Sequence, residues 1–252
     1  MGSKPDSRNK PQAPAFKHRV ADMFNRGMDI YYLVLVVPAI GLSLFAQILV
    51  KSRFAKYSQI KSSRNISGRE TAALLMRAHH IQQVTIQQVR GSLTDHYDPG
   101  AKALRLSDPV YGETSIAAIG VAAHETGHAI QHAVSYSPLG LRSALVPVAN
   151  IGSAVGPWLA MGGFFFAIPL LINLGIILFG GSVLFYLITL PVEFDASARA
   201  IKILRTNRVL TESELEGVKK VLTAAALTYV ASALTALMSF VRLILIARDR
   251  EQ

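Results

Sequence analysis

At 252 residues the chain is long enough for one large domain, or for a smaller domain attached to membrane helices. Hydrophobic residues make up 51% and charged residues 17%, with a mean hydropathy of +0.34, which argues against an ordinary soluble protein. Cysteine is absent, which excludes disulfides and thiolate metal sites, and the net charge of +10 lies mostly beside apolar segments with no reader motif, so nucleic acid is not an expected partner.

In chain order, residues 1–28 are polar, basic and proline-bearing, and read as a disordered tail without the apolar core of a signal peptide. Residues 29–50 form a first transmembrane helix: positions 30–50 carry no charge, and Lys51, Arg53 and Lys56 follow directly. Residues 51–142 are the one sizeable polar region. An amphipathic helix is predicted over 68–79, a strand over 84–89, and short strands over 94–97 and 103–106 around the turn Asp98-Pro99-Gly100. Thr114 or Ser115 caps a helix from 116 to about 134.

No Asp, Glu, Lys, Arg or His occurs in residues 143–192, a run that suits two crossings with a turn near 169–173. A charged helical segment is expected over 193–220 and a fourth crossing over 221–247. The fold class is therefore mainly α: a polytopic membrane protein with about four transmembrane helices and a small α+β, zincin-like catalytic region.

The 116–134 helix carries His124-Glu125-Thr126-Gly127-His128. Histidines four apart lie about one turn apart, so both imidazoles can reach one metal ion. The glutamate between them faces the same side and can deprotonate a metal-bound water. Such a site needs a third protein ligand and an open position. Because a two-helix excursion returns the chain to the starting side, that ligand is sought just after residue 192. Glu193 is the first charge there, and Pro191 suits a helix start that would put Glu193 in its first turn. Asp195 is the rival, as ligand or as acceptor for a ligand histidine's free N–H; the plain alternative for both is helix capping. His132 falls near the same face but two positions short of the metzincin spacing, and reads as a neighbour. His96 and Tyr111 are candidate oxyanion stabilisers, against readings as a turn histidine and a packed tyrosine. His79 and His80 close the 68–79 helix as solvated residues.

Several stretches together resemble the YugP-like neutral zinc metallopeptidases, small bacterial membrane proteins of the gluzincin type. They are Leu93-Thr-Asp-His-Tyr-Asp-Pro, Leu104-Arg-Leu-Ser, Val110-Tyr, the run from Ser115 through His124-Glu-Thr-Gly-His to His132, Leu141-Arg-Ser-Ala, Leu190-Pro-Val-Glu-Phe-Asp-Ala-Ser and Ala224-Ala-Ala-Leu-Thr-Tyr-Val-Ala. The resemblance runs from about Tyr31 to Arg242. It implies a membrane-embedded zinc peptidase with Zn²⁺ on His124 and His128 and Glu125 as base; similarity to gluzincins generally supports Glu193 as third ligand. Many gluzincins carry a carboxylate four residues after that glutamate, where this chain has Ser197.

The expected function is hydrolysis of protein or peptide substrates at the membrane surface, with a strand near 103–106 pairing with an extended substrate. The competing readings are an intramembrane-cleaving zinc protease and a non-enzymatic scaffold or chaperone partner with structural zinc. The lipid bilayer is the expected environment, and a homo-oligomer or membrane-protein partner is left open. Six Lys or Arg in 51–69 and six in 193–220 outweigh those on the opposite side in the 1–28 tail and near the C-terminus only modestly, and favour a cytoplasmic active site in a bacterial inner membrane.

Overall fold

The computed structural model describes residues 30–249; the 1–28 tail lies outside the described residues. Among the described residues, four helices are long and apolar enough to cross a membrane: α1 (Tyr32–Ser58), α5 (Ser137–Phe166), α6 (Pro169–Thr206) and α7 (Glu212–Arg248). Between α1 and α5 lie α2 (Gly68–Ala78), β1 (Thr85–Val89), β2 (His96–Asp98), β3 (Ala103–Ser107), the one-turn α3 (Asp108–Tyr111) and α4 (Ile116–Ala133). The outer faces of the long helices leave Phe45, Ile48, Trp158, Ile177 and Leu184 exposed. That exposure suits lipid as the solvent rather than water.

Local chemistry explains the starts of the polar-region elements. Ser67 and Glu70 form a reciprocal capping box at α2: the Glu70 backbone N–H donates to Ser67 Oγ at 3.2 Å, and the Ser67 N–H donates to Glu70 Oε2 at 2.8 Å. Ser115, not Thr114, caps α4, with its Oγ accepting from the Ala118 N–H at 3.2 Å. Thr211 and Glu214 repeat the box at α7. Glu214 also accepts from the Ser63 N–H at 2.6 Å, which ties the segment after α1 to the start of α7.

The sheet order is β1-β3-β2. The turn at Asp98-Pro99-Gly100 joins β2 and β3 into an antiparallel hairpin, and β1 pairs with β3 in parallel. This corrects the expectation for residues 103–106: β3 is the central strand, its ladder groups are engaged on both sides, and it has no edge to offer a substrate. The free edges belong to β1 and β2.

Helix α4 runs through the centre of the polar region, packed by α2, α6 and α7. Its Ala117, Ala118, Ala122 and Ala123 are fully buried, and these small side chains let three helices close around it. A second apolar cluster, with Phe164, Phe179, Val183 and Leu243, holds α5, α6 and α7 together farther along the bundle. The excursion turns at Ala167 and Ile168, just ahead of Pro169, with Ala167 left-handed at φ 56°.

Two boundaries differ from those the sequence suggests. Pro191 does not start a helix; it lies inside α6, which continues without a break to Thr206. Glu193 is therefore mid-helix. Proline removes one intrahelical hydrogen bond, but Val192, Glu193, Ala196 and Ala200 on the same helix are buried, and packing of that face overrides the local preference. The 193–220 segment is not one helix either. Asn207 ends α6 and Thr211 caps α7, so the last membrane helix begins at Glu212 rather than 221.

Candidate metal centre

His124, Glu125 and His128 stand on consecutive turns of α4, and α6 crosses directly over them. The crossing depends on Gly127: a Cβ there would lie 2.6 Å from the Ala196 carbonyl oxygen. Only glycine lets the two backbones come that close, and the close approach brings Glu193 to the histidines. Ligand atoms of His124, His128 and Glu193 all lie within 4.8 Å of one another. Glu193 Oε2 is 3.2 Å from His124 Nε2 and 3.5 Å from His128 Nε2. Glu193 is 1% exposed, and a carboxylate buried that deeply needs a cation. Arg142 of α5 approaches its other oxygen at 3.6 Å.

The far side of each imidazole is held as well. His124 Nδ1 is 3.2 Å from Ser197 Oγ. Gln131, fully buried one turn after His128, presents one end of its amide to two acceptors, the Val192 carbonyl and Asp195 Oδ2, each at 2.8 Å. That end must be the NH₂ group, so Oε1 faces His128 Nδ1 at 3.0 Å, and His128 must donate. The Nε2 lone pair is then free and aimed at the point shared with His124 and Glu193. Arg199 Nε in turn donates to Asp195 at 2.5 Å. Asp195 thus reaches His128 through Gln131 and is not among the three grouped ligand atoms.

Two imidazole nitrogens with their opposite nitrogens engaged, plus one buried carboxylate, are a donor set suited to Zn²⁺. Glu125 is 7% exposed and lines a cavity of about 250 Å³ together with His124. Burial pushes its carboxyl above the ordinary range, while the two flanking imidazoles pull it back. Asp95 borders the same cavity with both oxygens engaged: Ser107 donates its N–H to Oδ1 at 2.7 Å and its hydroxyl to Oδ2 at 2.8 Å. Burial raises the Asp95 pKa against the lowering effect of those two bonds.

The other sequence candidates lie elsewhere. His132 is 2.7 Å from the Tyr97 hydroxyl through Nδ1. His96, exposed at the start of β2, takes a hydrogen bond from Arg105 at 3.2 Å and faces the Thr94 carbonyl at 2.9 Å. Tyr111 sits beneath the Arg69 guanidinium. Neither His96 nor Tyr111 lines the cavity. His79 and His80 follow α2 and are exposed. Sequence reasoning missed Gln131, Arg142 and Tyr229. Tyr229 of α7 lines the cavity. Its one local signal is a tyrosine within the charge-free run 221–241.

Residues 32–248 match the family described as "Putative neutral zinc metallopeptidase". The chain is 49% identical over 215 residues to a Bacillus subtilis (strain 168) protein named "Putative membrane protease YugP", a match that covers 85% of this chain and 96% of that protein. No solved structure matches. With the match spanning nearly all of the described fold, from the first membrane helix to the last, the chain belongs to this zinc metallopeptidase family.

Proposed function

We propose that the protein is a zinc-dependent endopeptidase that hydrolyses peptide bonds of proteins or peptides at the membrane surface. The observation that carries this reading is the convergence of His124, His128 and Glu193 beside a cavity that Glu125 also faces. Zinc held by those three residues would supply Lewis acidity, activating water and polarising a scissile carbonyl. Glu125 takes the proton of the attacking water on its carboxylate and passes it to the leaving amine. Ser197 and Gln131 keep the imidazoles oriented throughout. A cavity reaching His124 and Glu125 favours catalysis over a closed structural site.

Three positions support action at the surface rather than deep in the bilayer. Val50 of α1 lines the cavity and is followed by Lys51 and Arg53. Glu193 ends the charge-free stretch of 143–192, and Val221, also in the lining, follows Lys219 and Lys220. The site thus lies level with the boundary between apolar and charged sequence on three helices. The excess of Lys and Arg on that side supports a cytoplasmic active site in a cell membrane.

The test is cleavage of a fluorogenic peptide by the purified, detergent-solubilised protein. Activity is expected to disappear with a chelator and return with zinc. Glu125→Gln is expected to retain zinc and lose at least about 10²-fold in kcat, the lower end of what a general base contributes. Cleavage that survives in Glu125→Gln would refute the assignment of the base.

A further inference from the structure

The cavity beside Glu125 is lined by two kinds of side chain. Its polar lining is Asp95, His124, Glu125, Thr228 and Tyr229. Its apolar lining includes Val50 and Phe54 of α1, Val121 of α4, and Leu222 and Ala225 of α7. At about 250 Å³ it falls below the usual range for sites that enclose a whole small molecule, roughly 300–1,000 Å³, and suits one side chain of a longer ligand. No Lys or Arg lines it, so an acidic side chain would find no counter-ion, only the carboxylates of Asp95 and Glu125. Asp95 already accepts one hydrogen bond on each oxygen from Ser107, which weakens its pull on a basic side chain.

Resting on the peptidase reading, we infer that this cavity is the specificity pocket for a large apolar side chain next to the scissile bond. The substrate class is then a peptide segment lying at the membrane boundary, with a leucine-, isoleucine-, methionine- or phenylalanine-sized residue directed between α1 and α7. From Val221 to Tyr229 the α7 wall runs roughly 12 Å, at about 1.5 Å per residue, from the boundary into the bundle. The apolar residue therefore lies at the boundary level, among Val50, Phe54 and Leu222, while the bond to be cut stays beside Glu125. Both walls being membrane helices, the pocket brings membrane-proximal segments to the metal centre in preference to polar, fully dissolved peptides.

The test uses the zinc-loaded, full-length protein and a peptide series that varies Leu, Phe, Ala, Asp and Lys on each side of the cut. The leucine and phenylalanine peptides are expected to exceed the alanine peptide by roughly 10- to 200-fold in kcat/KM, as apolar pockets discriminate. Ala225→Phe, which fills the pocket from α7, is expected to reduce the leucine-to-alanine ratio at least tenfold. Val50→Phe should do the same from the opposite wall, and serves if the first variant does not fold. A wild-type ratio near one, or a ratio unchanged in both variants, would overturn the inference while leaving the peptidase reading intact. If the wild type cleaves no peptide, that reading falls instead. The pocket is then judged by binding of the same peptides to Glu125→Gln: preference for leucine over alanine supports it, and equal affinity overturns it.

Discussion

Gln131 shows how one uncharged side chain can decide the chemistry of a candidate metal ligand. Because its NH₂ end is committed to Val192 and Asp195, its carbonyl end obliges His128 to donate from Nδ1, and the lone pair must lie on Nε2. Gln131→Met keeps the volume and removes both polar ends. It is expected to weaken zinc binding 10- to 100-fold, the usual effect of losing such a partner, measured by competition with a chromophoric chelator. The double variant Gln131→Glu with Asp195→Asn restores an acceptor for His128 and a donor toward residue 131 but leaves the Val192 carbonyl without its donor, and should recover part of that loss. Ser197→Ala is expected to act in the same direction through His124, whose Nδ1 it leaves unpartnered. These supports were only partly legible in the sequence. The two histidines declare themselves by helical spacing, which is a local rule. Gln131 acts through contacts with α6 that no local rule encodes, and Ser197 stands where a carboxylate would have been easier to recognise.

At the scale of elements, the decisive contact is the crossing of α4 and α6. Gly127→Ala would drive a Cβ into the Ala196 carbonyl. The expected result is a shift of α6 that weakens zinc binding by at least about tenfold, comparable to the loss of an outer-shell partner, along with a lower melting temperature in detergent. The α5–α6 hairpin delivers Glu193 to this crossing, and its own closeness depends on Gly152, where a Cβ would collide with the Leu178 carbonyl and the Ser182 hydroxyl. At α7, Thr211→Ala removes the cap and is expected to lower stability by about 1 kcal/mol, within the 0.5–2 kcal/mol typical of lost N-caps, read as a lower thermal midpoint without a change in zinc content. The sequence pattern locates these helices well because each is long and strongly apolar or clearly capped. It misplaces the start of the ligand segment because Pro191 is an ordinary stop signal for an isolated helix, whereas here the buried face of α6 carries the helix through it. It likewise misreads β3, since apolar alternation cannot tell a central strand from an edge.

For the molecule as a whole, two cores divide the work. One surrounds α4 and orders the site; the other holds α5, α6 and α7 together within the apolar span. An out-and-back pair of membrane helices joins them, so residues 69 positions apart in sequence meet at 3.2 Å. Four crossings and the proposed cytoplasmic site together require α1 to begin and α7 to end on the opposite face. A reporter fused after residue 252 is expected to signal outside the cytoplasm, and cytoplasmic signal there would contradict either the crossing count or the orientation. The central claim is narrower: zinc bound by His124, His128 and Glu193 with one position left open. It is tested most directly by a crystal structure of the zinc-loaded protein with anomalous data at the zinc edge. The account predicts a single zinc on two imidazole nitrogens at about 2.0–2.1 Å and the Glu193 carboxylate at about 2.0–2.2 Å, with water in the remaining position. A zinc ligated by Asp195 in place of Glu193, or closed by a fourth protein side chain, would contradict it.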